Sequence, residues 1–385
     1  MKMQVAKRDL EAALQVVTNS LNTSGSDISA HIVFRVQGDG VELLTFAGRL
    51  ISSAPVKCVV DAREAKAFTV EGARLIQWVG AVGDEAIDLN YDTEKKVVTA
   101  KAPKGAMEFQ TLDPEGFPYW DAIWPDVTEK ATCKGDRLAA AVAYAKQFVF
   151  DKETKRPELC LIECRDGLIS ATDQKSITLV EVPGLSESAL RIHKNDAPAV
   201  IRFLGTCGDT DVTLMEHDRY FIFKRADGAV FGETRFNAKY PPLVIDRDAE
   251  NPIWWKVSTK EFLAAIPFLT SGAEKKDTRL FVDRPDPDGP LRVGMKAMTG
   301  SMMAIDVSVI ESGKTGDPKV ESDLPPGGFC VDFKDIEKVL GGWSQEAAIF
   351  GVHIRGTNGY VRFREERDGV DYTTVCAWLK DRNAS

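Results

Sequence analysis

"FKRADGAVFGETRF", residues 223–236, reads as two short strands folded back on each other around Asp227-Gly228. β-Branched and aromatic residues flank a turn whose glycine accepts the positive φ of a tight hairpin. The chain makes something similar twice more, as "VVTAKAPKGAMEFQT" at 97–111 and "YVRFREERDGVDYTT" at 360–374. The copies at 97 and 223 also lead into similar segments, "LDPEGFPYW" at 112–120 and "FNAKYPPL" at 236–243, so the hairpin marks a tandem repeat.

Upstream of the hairpins, an amphipathic helix opens each repeat: "KRDLEAALQVVTNSL" from Lys7, "GDRLAAAVAYAKQFV" from Gly135 and "STKEFLAAIPFLTSG" from Ser258. Leu10, Ala13, Leu14, Val17 and Leu21 form one apolar stripe at helical spacing. Ser258 and Glu261 form a capping box, and Pro267 is expected to break or kink the third helix. A strand, a turn at Gly40, Gly167 or Gly289 and another strand follow, at intervals of about 125 residues. A second helix comes next ("EGARLIQWVGAV", "NDAPAVIRFLGT", "FKDIEKVLGGW"), and then the late hairpin. The fold class is therefore α+β, in three tandem copies, each with two helices packed on a mostly antiparallel sheet. Linker-like segments around Pro125 and at Asp246–Pro252 set the domains at 1–125, 126–249 and 250–385.

The third copy is longer by the polar loop "ESGKTGDPKVESDLPPGG" at 311–328. Its Gly313-Lys314-Thr315 is not a phosphate-binding loop, because the glycine such a loop needs five residues earlier is Ser308. Seven cysteines make no CxxC pair and mostly sit among apolar residues, and four scattered histidines lack metal-ligand spacing. No nucleophile–base pair, GxSxG or HExxH accompanies them, so a non-enzyme without metal or cofactor is expected. No stretch has the length and apolarity of a membrane span, and the N-terminal stretch lacks a signal-peptide core, which makes a cytoplasmic protein the expectation. The net charge of −9 argues against holding nucleic acid by simple electrostatic attraction.

Three such units in an acidic chain of 385 residues resemble the bacterial β-type sliding clamp, the processivity subunit of the replicative DNA polymerase. The resemblance covers nearly the whole chain. Its most specific pieces are "LISATDQKSITLVEV" at 168–182, "LDPEGFPYW" at 112–120 and "TKRPELCLIE" at 154–163. It implies a ring of six domains made by head-to-tail homodimerisation, with helices lining a channel around double-stranded DNA. It also implies a replicative DNA polymerase and an ATP-driven clamp loader as partners. Enclosure removes the charge objection: the candidate lining segments 6–21, 72–80, 134–150, 193–204, 258–279 and 332–340 carry a net +4, against −13 for the rest.

Carried over to this sequence, the resemblance implies sequence-independent DNA contacts from Arg74, Lys146, Lys194, Arg202, Lys275 and Lys276. Lys152, Lys155 and Arg156 would stand at the channel mouth. The dimer interface would use Met107, Phe109, Phe268 and Leu269; the competing reading makes these core residues of their own domains. A groove for short apolar partner peptides would be formed by Leu159, Thr172, Gln174, Lys175, Ser176, Ile177 and Leu243, with Val375 and Ala377. Core packing competes for Leu159, Ile177 and Val375. The sequence departs from the family where Gln174-Lys175-Ser176-Ile177 replaces the usual Gly-His-Arg-Leu, and where "VCAWLKDRNAS" ends the chain. Pro267 motivates the alternative of a monomeric clamp-like protein that binds clamp partners without encircling DNA.

Overall fold

The computed structural model describes residues 1–61, 66–83, 86–115, 117, 121, 124–185, 189–241, 243, 251–273, 277–297, 299–314, 324, 328–343, 345–355 and 358–379. Six helices lie among them: α1 (Lys7–Val17), α2 (Gly72–Ala81), α3 (Gly135–Lys146), α4 (Ala197–Gly205), α5 (Thr259–Gly272) and α6 (Phe333–Gly341). The order strand, helix, several strands, helix, three strands occurs three times, starting at Lys2, Thr128 and Ile253. Each occurrence ends on a closing strand: Gly105–Gln110, Val230–Thr234 and Val370–Ala377. The three hairpins expected from sequence are these closing strands with the strands before them, Val97–Ala102, Tyr220–Arg225 and Asn358–Arg367. Asp368-Gly369 has φ of +53° and +73°, and Asp166-Gly167 has +53° and +80°, the paired positive angles of a two-residue hairpin turn.

Contacts group the chain into two compact units. One comprises 1–143, 164–167 and 184–237; the other comprises 144–163, 168–183 and 238–385. In the first unit, a sheet of five strands carries Gly105–Gln110 at its edge. A sheet of eight strands joins the first two repeats, because Leu50–Val56 pairs antiparallel with the closing strand Val230–Thr234. The join is packed as well as hydrogen-bonded: Val33, Leu44, Ile51 and Phe117 share one buried cluster with Met215, Ile222 and Val230. Leu10, Ala13, Leu14 and Val17 of α1 are buried as their spacing predicts. The end of that helix is tied to the sheet by hydroxyls, Thr45 Oγ1 donating to Val17 O at 2.6 Å and Ser20 Oγ donating to Ser52 Oγ at 2.7 Å.

In the second unit, Ser176–Glu181 pairs antiparallel with the closing strand Val370–Ala377, and the sheet continues through Asn358–Arg367, Ala347–Arg355 and Ile253–Ser258 to Val309–Lys314. A separate sheet of four strands has Met302–Val307 at its edge and Phe329–Asp332 at the other. Phe262, Phe350 and Phe363 pack in series, and Phe329 stacks between Trp255 and Trp378.

Helix α5 corrects one expectation. It begins as its capping box predicts, Ser258 accepting from the Glu261 N–H at 3.2 Å, but it runs unbroken through Pro267 to Gly272. Pro267 lies on the exposed face, where water can satisfy the carbonyl that the ring leaves without a donor. Thr270 and Ser271 hydroxyls donate to the Pro267 and Phe268 carbonyls and close the last turn.

A cluster of titratable side chains around the buried Glu233 sits at the join of the first two repeats. Glu233, fully buried, accepts from the His193 backbone N–H at 3.1 Å and lies 3.8 Å from Arg49, which is 2.9 Å from Asp196. Arg49 and His193 both lie against the Phe236 ring. Burial, with Asp196 close by, pushes the Glu233 carboxyl well above the usual carboxylate range. The folded protein then binds this proton more tightly than the unfolded chain does, so the stability Glu233 supplies is complete below the ordinary carboxylate pKa and is lost as pH rises through the raised value. Glu233→Gln removes the ionisation and keeps the acceptor. Its melting temperature is expected to exceed that of the parent by a margin that widens between about pH 5 and pH 8; a margin that narrows over this range contradicts the assignment.

Candidate functional site

The strongest site is built where Ser176–Glu181 meets the closing strand Val370–Ala377. Register sets Ile177 opposite Val375 and Ser176 opposite Cys376, so Ile177 and Val375 share one face of the sheet, where both are half-buried. Gln174, Lys175 and Ala377 are exposed beside this pair, and the Ala377 N–H donates to Lys175 O at 2.9 Å. Beneath lie buried Thr172 and Ser176 and a polar chain in which Thr374 Oγ1 contacts Tyr144 Oη at 2.9 Å and Thr178 Oγ1 at 3.0 Å. Burial raises the Tyr144 hydroxyl far above its ordinary pKa and pushes the Cys376 thiol up to about 12, so both stay neutral as structural groups.

The turn that precedes Ser176–Glu181 is heavily constrained. Asp173 Oδ1 accepts from the N–H groups of Lys175 and Ser176 at 3.0 and 2.8 Å, and Thr172 Oγ1 donates to Ser176 O at 2.8 Å. Gln174 has φ +80°, a left-handed conformation that costs a side chain with a Cβ about 1–2 kcal/mol. A glycine at this position would meet no such penalty. Lys175 is 2.8 Å from Asp332 and Lys338 is 3.0 Å from Asp173, which ties the turn to the cap and the last turn of α6. Hydrogen bonding to Asp332 raises the Lys175 ammonium above its ordinary pKa, whereas burial, reinforced by Asp173, raises the Asp335 carboxyl. Among the other expected groove residues, Leu159 is buried in the short 3-10 turn Pro157–Cys160 and Leu243 is half-buried.

The expected DNA-contacting residues divide. Lys146, Lys152, Lys155, Arg156, Arg74 and Arg202 are exposed. Arg74 pairs with Glu71 at 3.3 Å, Arg156 pairs with Glu158 at 3.2 Å, and Arg202 Nε donates to Asn19 Oδ1 at 3.1 Å. Lys194 is half-buried, and Lys275 and Lys276 lie outside the described residues. In the first unit, α1, α2 and α4 border an open cavity of 780 Å³ reached by Glu11, Gln15, Asn19 and Arg202.

Of the expected interface residues, Phe109 and Leu269 are fully buried in their own units, as in the core reading. Arg74 lies over the Phe109 ring at 5.7 Å. Met107 is half-buried, and Phe268 is 60% exposed on α5. Sequence reasoning missed Met302, which is 54% exposed at the start of the edge strand Met302–Val307. The strand's "MMAIDV" mixes apolar residues on both faces, so alternation in the sequence did not single out the exposed one. All seven cysteines are free, six buried and Cys58 half-buried. Among the described residues no helix is long and apolar enough to cross a membrane.

No protein-family profile and no curated protein sequence matches the chain. Solved structures do, over its whole length. A DNA polymerase sliding clamp from Bacillus subtilis superposes with a TM-score of 0.79 at 14% identity, covering 99% of both chains. The DNA polymerase III β subunit of Thermotoga maritima gives 0.78 at 16% identity, again over 99% of each. A putative DNA polymerase III β subunit from Eubacterium rectale gives 0.78 at 12% identity, over 99% of this chain and all of that one. The fold is that of bacterial sliding clamps, at 12–16% sequence identity to these three.

Substitution at the turn tests its geometry. Gln174→Val, β-branched in a left-handed conformation, is expected to lower unfolding free energy by about 1–2 kcal/mol, while Gln174→Gly does not lower it by more than about 0.5 kcal/mol. Equal losses in denaturant titrations of the two variants contradict the assigned turn.

Proposed function

We propose that this chain is a DNA sliding clamp: two copies close head to tail into a ring around duplex DNA and tether a replicative polymerase through the groove at Ile177 and Val375. The domains of the ring are 1–125, 126–249 and 250–385, six in the dimer. The observation that carries the reading is a pairing rule inside the chain. The strand Leu50–Val56 of the first repeat pairs with the closing strand of the second, and Ser176–Glu181 of the second pairs with the closing strand of the third. Continued once more, the rule joins Met302–Val307 of the third repeat to a closing strand of the first. Both are sheet edges in their own units, Met302–Val307 and Gly105–Gln110.

These two edges lack the devices that protect an exposed strand. Neither contains proline, and each carries a single charge, Glu108 and Asp306. Exposed Phe268 and Met302 supply apolar surface beside the second edge, and Gly272 of α5 leaves room for the Met303 side chain. A homodimer satisfies both pairs of edges at once, through two identical contacts related by a two-fold axis. Unbroken α5 removes the reason for preferring a monomeric clamp-like protein.

Within the ring, Arg74, Lys146, Lys152, Lys155, Arg156 and Arg202, with Lys194, Lys275 and Lys276, meet phosphates without reading sequence. A polymerase released from the primer end stays tethered, at a high effective concentration set by its link to the ring. A closed ring needs an ATP-driven loader to open it. The chain performs no chemistry in this role, and it works in the cytoplasm.

The test is topological. Protein loaded onto a nicked circular duplex is expected to survive a salt wash that removes simple phosphate contacts, and to leave once the circle is linearised; equal loss from circle and line contradicts encirclement. Before loading, Lys152→Gln, Lys155→Gln and Arg156→Gln together are expected to reduce the slope of log K against log salt by about 0.9 for each phosphate contact removed. An unchanged slope in fluorescence titrations with duplex DNA contradicts their assignment.

A further inference from the structure

We propose that the two ion pairs binding the Thr172–Ser176 turn to α6 act as a specificity clasp: they make the neighbouring groove prefer apolar peptides with neutral or basic flanking residues over those with acidic ones. This rests on the peptide-groove reading given above. Lys175 Nζ lies 2.8 Å from Asp332 Oδ2, while Lys338 Nζ lies 3.0 Å from Asp173 Oδ2 and 3.3 Å from Asp335 Oδ1. Three carboxyl groups therefore face two ammonium groups, and neither ammonium is left over for an incoming anion.

The geometry makes Lys175 hard to recruit. Its side chain is 54% exposed, so a peptide can reach it, but the side chain of its partner Asp332 is only 6% exposed. A peptide carboxylate that drew Lys175 away would leave Asp332 buried without its cation, which costs more than an exposed pair returns. Asp332 cannot turn to follow, because its other oxygen accepts from the Lys334 N–H at 3.1 Å and caps α6. Nor can the turn move: the Lys175 carbonyl is held by Ala377, and its N–H by Asp173. On the other side, Lys338 is held between two carboxyls and over the Phe148 ring at 5.9 Å. Lys175 is thus a positioning and selecting residue, one that presents a charge to the rim and withholds it.

The experiment uses the full-length protein and labelled hexapeptides of two leucines, one phenylalanine and one alanine, with Glu, Gln or Lys at both ends, read by fluorescence anisotropy. The parent is expected to bind the Gln and Lys peptides about 10-fold more tightly than the Glu peptides. Asp332→Asn keeps an acceptor for the α6 cap and frees Lys175, so the order should invert in favour of Glu. Should that variant fail to fold by circular dichroism, Lys175→Met serves instead: it removes an exposed side chain, widens the discrimination against Glu, and Lys175→Arg restores the parent ratio. Apolar peptides bound with a Glu-to-Lys ratio unaltered by these substitutions overturn the clasp and leave the groove standing. Absence of binding by every peptide overturns the groove and the clasp together.

Discussion

A β-strand at the edge of a sheet presents a row of unpaired N–H and C=O groups, and meeting that demand organises this chain. Each repeat offers two edges, a strand from the middle of the repeat and a closing strand. Leu50–Val56 meets Val230–Thr234, and Ser176–Glu181 meets Val370–Ala377. The repeats are thereby joined through sheets rather than held as separate globules, and the first two share a buried core around Ile51 and Val230. Of the strands this pairing rule would use, two stand at sheet edges among the described residues, Gly105–Gln110 in the first repeat and Met302–Val307 in the third. Each carries one charge and no proline, Phe268 and Met302 are exposed beside one of them, and a second copy of the chain is the proposed partner for both.

The same join determines where chemistry is placed. The contact between the second and third repeats brings Ile177 to Val375 and anchors the turn above them by backbone hydrogen bonds. The contact between the first two instead buries Glu233 beneath Arg49 and Asp196, which are themselves partly exposed, with the Phe236 ring against Arg49. One pairing rule therefore yields a half-exposed apolar pair at one join and a buried carboxyl beneath a partly exposed arginine at the other. The difference lies in side chains, since the backbone geometry is repeated.

Much of the fold was legible because it rests on local signals. Apolar spacing in "DLEAALQVV", the Ser258–Glu261 cap and the Asp368-Gly369 turn each depend on residues within one turn or hairpin of one another, and each forms as read. Pro267 misled because, on an exposed helix face, water can satisfy the carbonyl that proline leaves without a donor. The site was less legible, for a physical reason: alternation identifies a strand's apolar face without saying whether a sheet, a helix or another molecule covers it. Phe109 and Phe268 look alike in sequence, yet the first is fully buried and the second is 60% exposed. The ion pairs of Lys175 and Lys338 join residues more than 150 positions apart, and no spacing rule reaches that far.

The central claim is that the two free edges are satisfied by a second copy of the chain. Sedimentation velocity across a dilution series measures this most directly. The account predicts one stable species of twice 42.3 kDa that persists to low concentration. A species of 42.3 kDa at every concentration would contradict it, because both edges would then stand unpaired in water and the ring could not close.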